Sequence, residues 1–172
     1  PGSPFAYSDP EYRPWYYSTR GQNTVWIDED DQELWRPGGK RRIWGRLLDW
    51  QDSNDETCVR VSHEGYWRSK GVQHERTVLL KKGRFFLIYD LLDGTGSEDT
   101  HTLRWTLRCP DALQELGNRQ VLSDGSPGVR LMPAWAEMIR EAEIGWGPSM
   151  VPLTYRPDMS AQKGQVCHVR FI

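Results

Sequence analysis

The sequence predicts an all-β fold, an antiparallel β-sandwich with few or no helices. Two patterns carry that prediction. Short segments alternate apolar and polar side chains with period two, the spacing that sends successive residues to opposite faces of a strand. Clusters of Gly, Pro, Asp, Asn and Ser interrupt these segments about every ten residues, which suits antiparallel strands and not a parallel sheet. A third signal is local: Lys81-Lys82-Gly83 sits between two apolar runs and reads as a hairpin turn.

Taken in order, residues Pro1 to Gly21 carry Pro4, Pro10 and Pro14 and read as an ordered loop. Gln22 to Asp28 is the first expected strand, with Asn23, Val25 and Ile27 on one side and Thr24 and Trp26 on the other. Asp28-Glu29-Asp30-Asp31 follows as an acidic turn, expected to be solvated; it lacks the Gly and Glu spacing of a calcium loop. Pro37-Gly38-Gly39-Lys40 breaks the chain, and Arg42 to Trp50 resumes as a strand with Gly45 a candidate bulge. Asp52 to Asp55 is a turn, and Thr57 to His63 alternates again. Gln73 to Leu80 and Arg84 to Leu92 flank the hairpin signal. Thr100 to Arg108 is expected to send Leu103, Trp105 and Leu107 inward and Thr102, Arg104, Thr106 and Arg108 outward. Asp111 to Leu116 suits a helical turn, Ala134 to Ala142 is read as a strand, and Gly164 to Ile172 closes the chain as another. Trp26, Val59, Val61, Leu87, Leu103, Trp105 and Leu107 are the expected core.

A chain of 172 residues fits one domain and can bury roughly 70% of its unfolded surface. Residues 1–172 are therefore read as a single β-sandwich domain. With no initiator Met, the chain reads as a piece of a larger protein. The net charge of −2 offers no basic stripe for nucleic acid. No apolar run is long enough for a spanning helix, so no membrane partner is expected. Cys58, Cys109 and Cys167 show no metal-like spacing; buried thiols fit Cys58 and Cys167, and a disulfide between two of the three stays open in an oxidising compartment. Nine Trp residues are many for this length, and Trp15, Trp35, Trp67 and Trp146 lie beside Pro, Gly or charged residues, where aromatic faces can stack on sugar rings.

Function is expected where the polar segment before the first strand enters it. Arg13, Tyr16, Tyr17, Thr19 and Arg20 form a dense group of planar donors and phenols there. His63, His74, His101 and His168 share no metal spacing and read as strand or loop residues with satisfied rings. No nucleophile elbow or phosphate loop occurs.

Ser18-Thr19-Arg20-Gly21-Gln22-Asn23-Thr24-Val25, with Ile27-Asp28 and Asp31-Gln32, resembles the S-T-R-A-H-N-T-V-x-V-D-G-x-D-Q signature of heparinase II/III-like polysaccharide lyases. Pro1-Gly2-Ser3 and Tyr7 to Tyr12 are similar to the segment after that family's D-P-G element. His74 to Val78 and Leu87 to Leu92 are similar to its H-R-R-T-V and V-V-V-D-x-L strands, and His101 to Leu107 to the strand after them.

The resemblance implies the C-terminal β-sandwich of a lyase that cleaves uronate-containing polysaccharide, of the glycosaminoglycan or alginate kind, by β-elimination. It implies an N-terminal α/α toroid as partner domain, carrying the catalytic Tyr, and a periplasmic or extracellular parent. No catalytic residue is then expected in this chain, which alone should be inactive. Arg20, Gln22, Tyr17 and Asn23 are the substrate-binding candidates. Arg20 either addresses a uronate carboxylate, which suits its bidentate geometry, or makes a salt bridge to Asp28, Asp30 or Glu11. The resemblance implies a metal site in the family built from a His of an upstream H-x-H element, the Asp of D-P-G and the His of H-N-T; at the last position this chain has Gln22, so no zinc or other cofactor is expected. A second reading is a non-catalytic carbohydrate-binding or structural β-sandwich, which Gln22 permits.

Overall fold

The computed structural model describes residues 15, 18–33, 45–95, 98–109, 113–124, 128–134, 136–138, 142–150 and 163–171. They are mostly strands in antiparallel sheets, with one four-residue α-helix, so the fold is all-β as the alternation predicts. The chain forms two compact units, one from Pro1–Asp31 and His101–Ile172, the other from Gln32–Thr100.

In the first unit, β1 (Val25–Ile27), β6 (Leu103–Cys109), β10 (Ala142–Met150) and β11 (Lys163–Phe171) form a sheet of order β1-β6-β11-β10. A second sheet of this unit, order β7-β8-β9, contains β7 (Leu113–Gly117), β8 (Gln120–Ser123) and β9 (Arg130–Leu131). Val121 on β8 is fully buried, and Trp105, Leu107, Leu113, Leu131 and Ala142 pack on it, so the two sheets share a core.

The first strand is shorter than predicted. Thr19–Gly21 is a 3-10 turn, the Gln22 N–H donates to the Thr19 carbonyl (3.0 Å), and regular pairing begins only at Val25. All three residues of β1 are buried. After it, Asp28 and Glu29 both adopt positive φ (52° and 61°), and the Asp30 N–H donates to the Ile27 carbonyl, giving a two-residue hairpin turn. The Asp28 carboxylate takes hydrogen bonds from the Thr102 N–H (2.8 Å) and His101 Nδ1 (2.7 Å), and Arg104 pairs with Glu29 (2.8 Å). The acidic run is thus bonded into the fold at Asp28 and Glu29, not merely solvated.

Two more expectations are corrected here. Leu113–Gly117 is a strand, not a helical turn, because it pairs with β8 through a two-residue turn at Asn118 and Arg119, both at positive φ. Ala136–Met138 is a 3-10 turn instead of strand; the Ala and Glu that favour helix prevail locally, and extended pairing resumes at Ala142.

The second unit is a four-stranded meander of β2 (Gly45–Asp52), β3 (Glu56–Tyr66), β4 (Val72–Lys81) and β5 (Phe85–Asp93). The register shift in β2 falls between Leu47 and Asp49, later than the Gly45 expected. Helix α1 (Trp67–Lys70) joins β3 to β4 and stops at Gly71, whose φ of 65° only glycine adopts cheaply. The predicted hairpin is present, with Gly83 at φ +73° and the Arg84 N–H on the Lys81 carbonyl.

The core differs in part from the alternation. Trp26 is buried; Val59, Val61, Trp105 and Leu107 are half-buried; Leu87 and Leu103 are exposed. On β5 both alternating faces are open, since the successive residues Phe86 and Leu87 are each 48% exposed. Period two states which residues share a face but not whether another layer covers it.

Candidate functional site

The 3-10 turn Thr19–Gly21 is built around Trp15. The Ser18 N–H and hydroxyl both donate to the Trp15 carbonyl (3.2 and 3.0 Å), and the Thr19 N–H donates to Asp31 Oδ1 (2.6 Å). Gly21 passes so close that a Cβ there would stand 2.0 Å from the Trp15 carbonyl oxygen. The motif's Ala at this position would need that contact to open.

Two guanidinium groups meet the Trp15 ring. Arg20 lies 5.4 Å and Arg108 4.6 Å from its centroid, distances at which the ring quadrupole attracts a cation. Arg108 is buried, whereas Arg20 is only partly so. Arg108 and Thr106, expected outward, are thus buried, while Leu103, expected inward, is open. The reason is chemical: a guanidinium can bury its flat face against an indole, so charge alone does not mark the solvent side of a strand.

Of the predicted site residues, the structure brings Arg20, Gln22 and Asn23 together at this turn; Tyr17 lies outside the described residues. Gln22 is half-buried and extended (φ −114°, ψ 162°), and the expected strand face shared by Arg20 and Gln22 is replaced by the turn. Asn23 is exposed, and its Oδ1 accepts the Arg108 N–H (3.0 Å), a link between the turn and β6. Sequence reasoning missed Trp15 and Arg108 as members of this group. The available signal was a Trp among polar neighbours, near an Arg-rich segment.

The residues do not fit a zinc. Gln22 offers a neutral amide oxygen where an imidazole nitrogen would be needed. An Arg108 amino group stands 3.3 Å from where a Gly21 Cβ would be. Such a site suits an anion, since a guanidinium binds carboxylate or phosphate oxygens in a bidentate fork.

A second polar cluster lies within the other unit. The Gly65 N–H donates to His63 Nδ1 (3.1 Å), which leaves the proton on His63 Nε2. That nitrogen meets His74 Nδ1 at 2.9 Å, and His74 Nε2 then donates to Asp90 Oδ1 (2.6 Å). Arg76 closes the chain with two bonds to Asp90 (2.7 and 2.9 Å). Burial, with the positive Arg76 nearby, pushes His63 down to about 4. For Asp90, burial acts upward, but the bonds from His74 and Arg76 outweigh it and hold the carboxyl at about 2. With both His63 nitrogens engaged, the network braces β3, β4 and β5 together. The sequence placed His74 and Asp90 on paired strands but not His63 beside them.

The fold has counterparts among known proteins. A family model described as heparinase II/III-like, C-terminal matches residues 2–145. Among solved structures, a heparinase III with methylated lysines is 16% identical with a TM-score of 0.67, over 98% of this chain and 24% of that one. A heparan sulfate lyase HepC mutant from Pedobacter heparinus is 17% identical with a TM-score of 0.62, over 97% of this chain and 27% of that one. These two likenesses establish the fold, and the chain spans about a quarter of the length of each protein. Comparison with curated proteins gave no match. With the family model covering most of the sequence, and the STR-x-x-NTV motif forming the turn around Trp15, the chain belongs to the heparinase II/III-like C-terminal family.

Proposed function

We propose that the chain is the C-terminal β-domain of a polysaccharide lyase that cleaves uronate-containing chains by β-elimination. The turn at Thr19–Gly21 presents Arg20 to a uronate carboxylate, with Gln22 and Asn23 beside it for sugar hydroxyls. Elimination removes the proton on C5, next to that carboxylate, and charge builds on its oxygens as the enolate forms. A guanidinium held there stabilises the developing charge. The base and the acid come from a toroid domain of the parent polypeptide, which acts in the periplasm or outside the cell. The observation that carries the reading is the partly exposed Arg20, held on the Trp15 ring by a turn of the family's own motif.

The test uses the full-length polypeptide and the ultraviolet absorbance of unsaturated uronate on heparan sulfate, alginate and pectate-type chains. Arg20→Gln is expected to lower kcat/KM by about 10²-fold with the melting temperature unchanged, and Arg20→Lys to recover part of it. An unchanged kcat/KM in Arg20→Gln would remove the residue from the site. Turnover by residues 1–172 alone would misplace the base. Gln22 favours the second reading, a carbohydrate-binding or structural domain; it predicts polysaccharide binding by the full-length polypeptide with no absorbance change.

A further inference from the structure

The chain has three cysteines, and the sheet of the first unit sets two of them on one rung. In the antiparallel pairing of β11 with β6, Cys167 stands directly opposite Cys109. The third, Cys58, is a free, half-buried thiol on β3 in the other unit. Directly opposed residues in an antiparallel pair have Cβ atoms about 4.5–5.5 Å apart, and a disulfide needs about 3.5–4.5 Å. Opposed positions on paired strands can therefore be joined by a local closure.

We propose that Cys109 and Cys167 are a cross-strand disulfide site that fastens β11 to β6. The position suits such a bond. It is the last rung of the β6–β11 ladder, which runs from Trp105 opposite Phe171 to this pair, and ladder ends are where strands fray. β11 lies between β6 and β10 in the sheet, so fixing it there also holds β10, whose Trp146 is paired with Cys167. The loop closed by the bond carries the whole β7-β8-β9 sheet. Long closed loops are those whose cross-linking most restricts the unfolded chain.

The chemistry balances with a small-molecule disulfide as oxidant. One cysteine thiolate attacks a sulfur of the oxidant, forming a mixed disulfide and expelling one thiolate. The second cysteine thiolate attacks the protein sulfur of that intermediate, the intramolecular S–S bond forms, and a second thiolate leaves. Two electrons pass to the oxidant, and the two cysteine protons end on its two thiols.

The experiment equilibrates the folded full-length polypeptide with oxidised glutathione, blocks remaining thiols by alkylation and maps the peptides without reduction. A Cys109–Cys167 cross-linked peptide, lighter by two hydrogens than its parts, is the expected result. Reduction should lower the melting temperature by several degrees, and Cys109→Ser and Cys167→Ser should each lose that sensitivity while Cys58→Ser keeps it. Mapping needs no variant, so a serine chain that fails to fold leaves the test intact. Full alkylation of both cysteines, glutathione adducts without a cross-link, or a cross-link through Cys58 would each overturn the proposal.

Discussion

Asp90 is held by His74 and Arg76, and through His74 it is tied to His63 and the Gly65 backbone. This brace gives stability a defined pH dependence. His63 titrates at about 4 in the fold against an ordinary 6.5, so on acidification the unfolded chain takes up its proton first. The His63 contribution to stability is full above pH 6.5 and is lost towards pH 4. Asp90 sits at about 2 against 3.8, so its contribution is present above 3.8 and lost as pH falls towards 2. The melting temperature should therefore fall in two successive acid steps, and His63→Gln should remove the first and keep the second. Asp90→Asn should cost about 3 kcal/mol by urea unfolding, since it leaves Arg76 and His74 without their charged acceptor. Gln22 makes a different prediction. In a parent carrying the family's upstream His and Asp, chelator should leave the melting temperature unchanged. Gln22→His should make it rise with zinc, because a metal bound only by the native state stabilises that state.

At the scale of elements, the sequence was most legible where turns are encoded by glycine and strands by β-branched runs. β3, β4 and β5 match their predicted spans to within a few residues, and the Gly83 turn falls as expected. The β7–β8 hairpin was missed because Leu113-Gln114-Glu115-Leu116 is helix-prone, while its turn places the non-glycine residues Asn118 and Arg119 at positive φ after Gly117. Tertiary pairing overrides that propensity. The turn around Trp15 was legible as a motif, but its partner Arg108 was not, since no local pattern shows that a distant strand buries a guanidinium under an indole. The mixed core on Val121 ties five strands of the first unit through its neighbours and itself. Val121→Ala should cost roughly 2–3 kcal/mol, close to other buried aliphatic truncations, and shift the urea midpoint without changing the slope.

At the scale of the whole molecule, charge is nearly balanced at −2 and the two units are differently finished. The first has a closed core on Val121; the second leaves Phe85, Phe86, Leu87, Tyr89 and Leu91 of β5 between 45% and 58% exposed. Among the described residues β5 pairs only with β4. Its ladder to β4 runs without a register shift, and its sequence has neither lysine nor proline, the usual guards of an outer strand. The consequence is colloidal. Low net charge supplies little repulsion between molecules, so residues 1–172 in isolation should self-associate through this strand and scatter light at concentrations where most domains stay clear. A single charge in the strand should act as a gatekeeper. Leu87→Lys is expected to suppress the scattering while leaving the melting temperature within a degree or so, because an exposed leucine contributes little to folding. Handling residues 1–172 in isolation would then be limited by solubility before it is limited by stability.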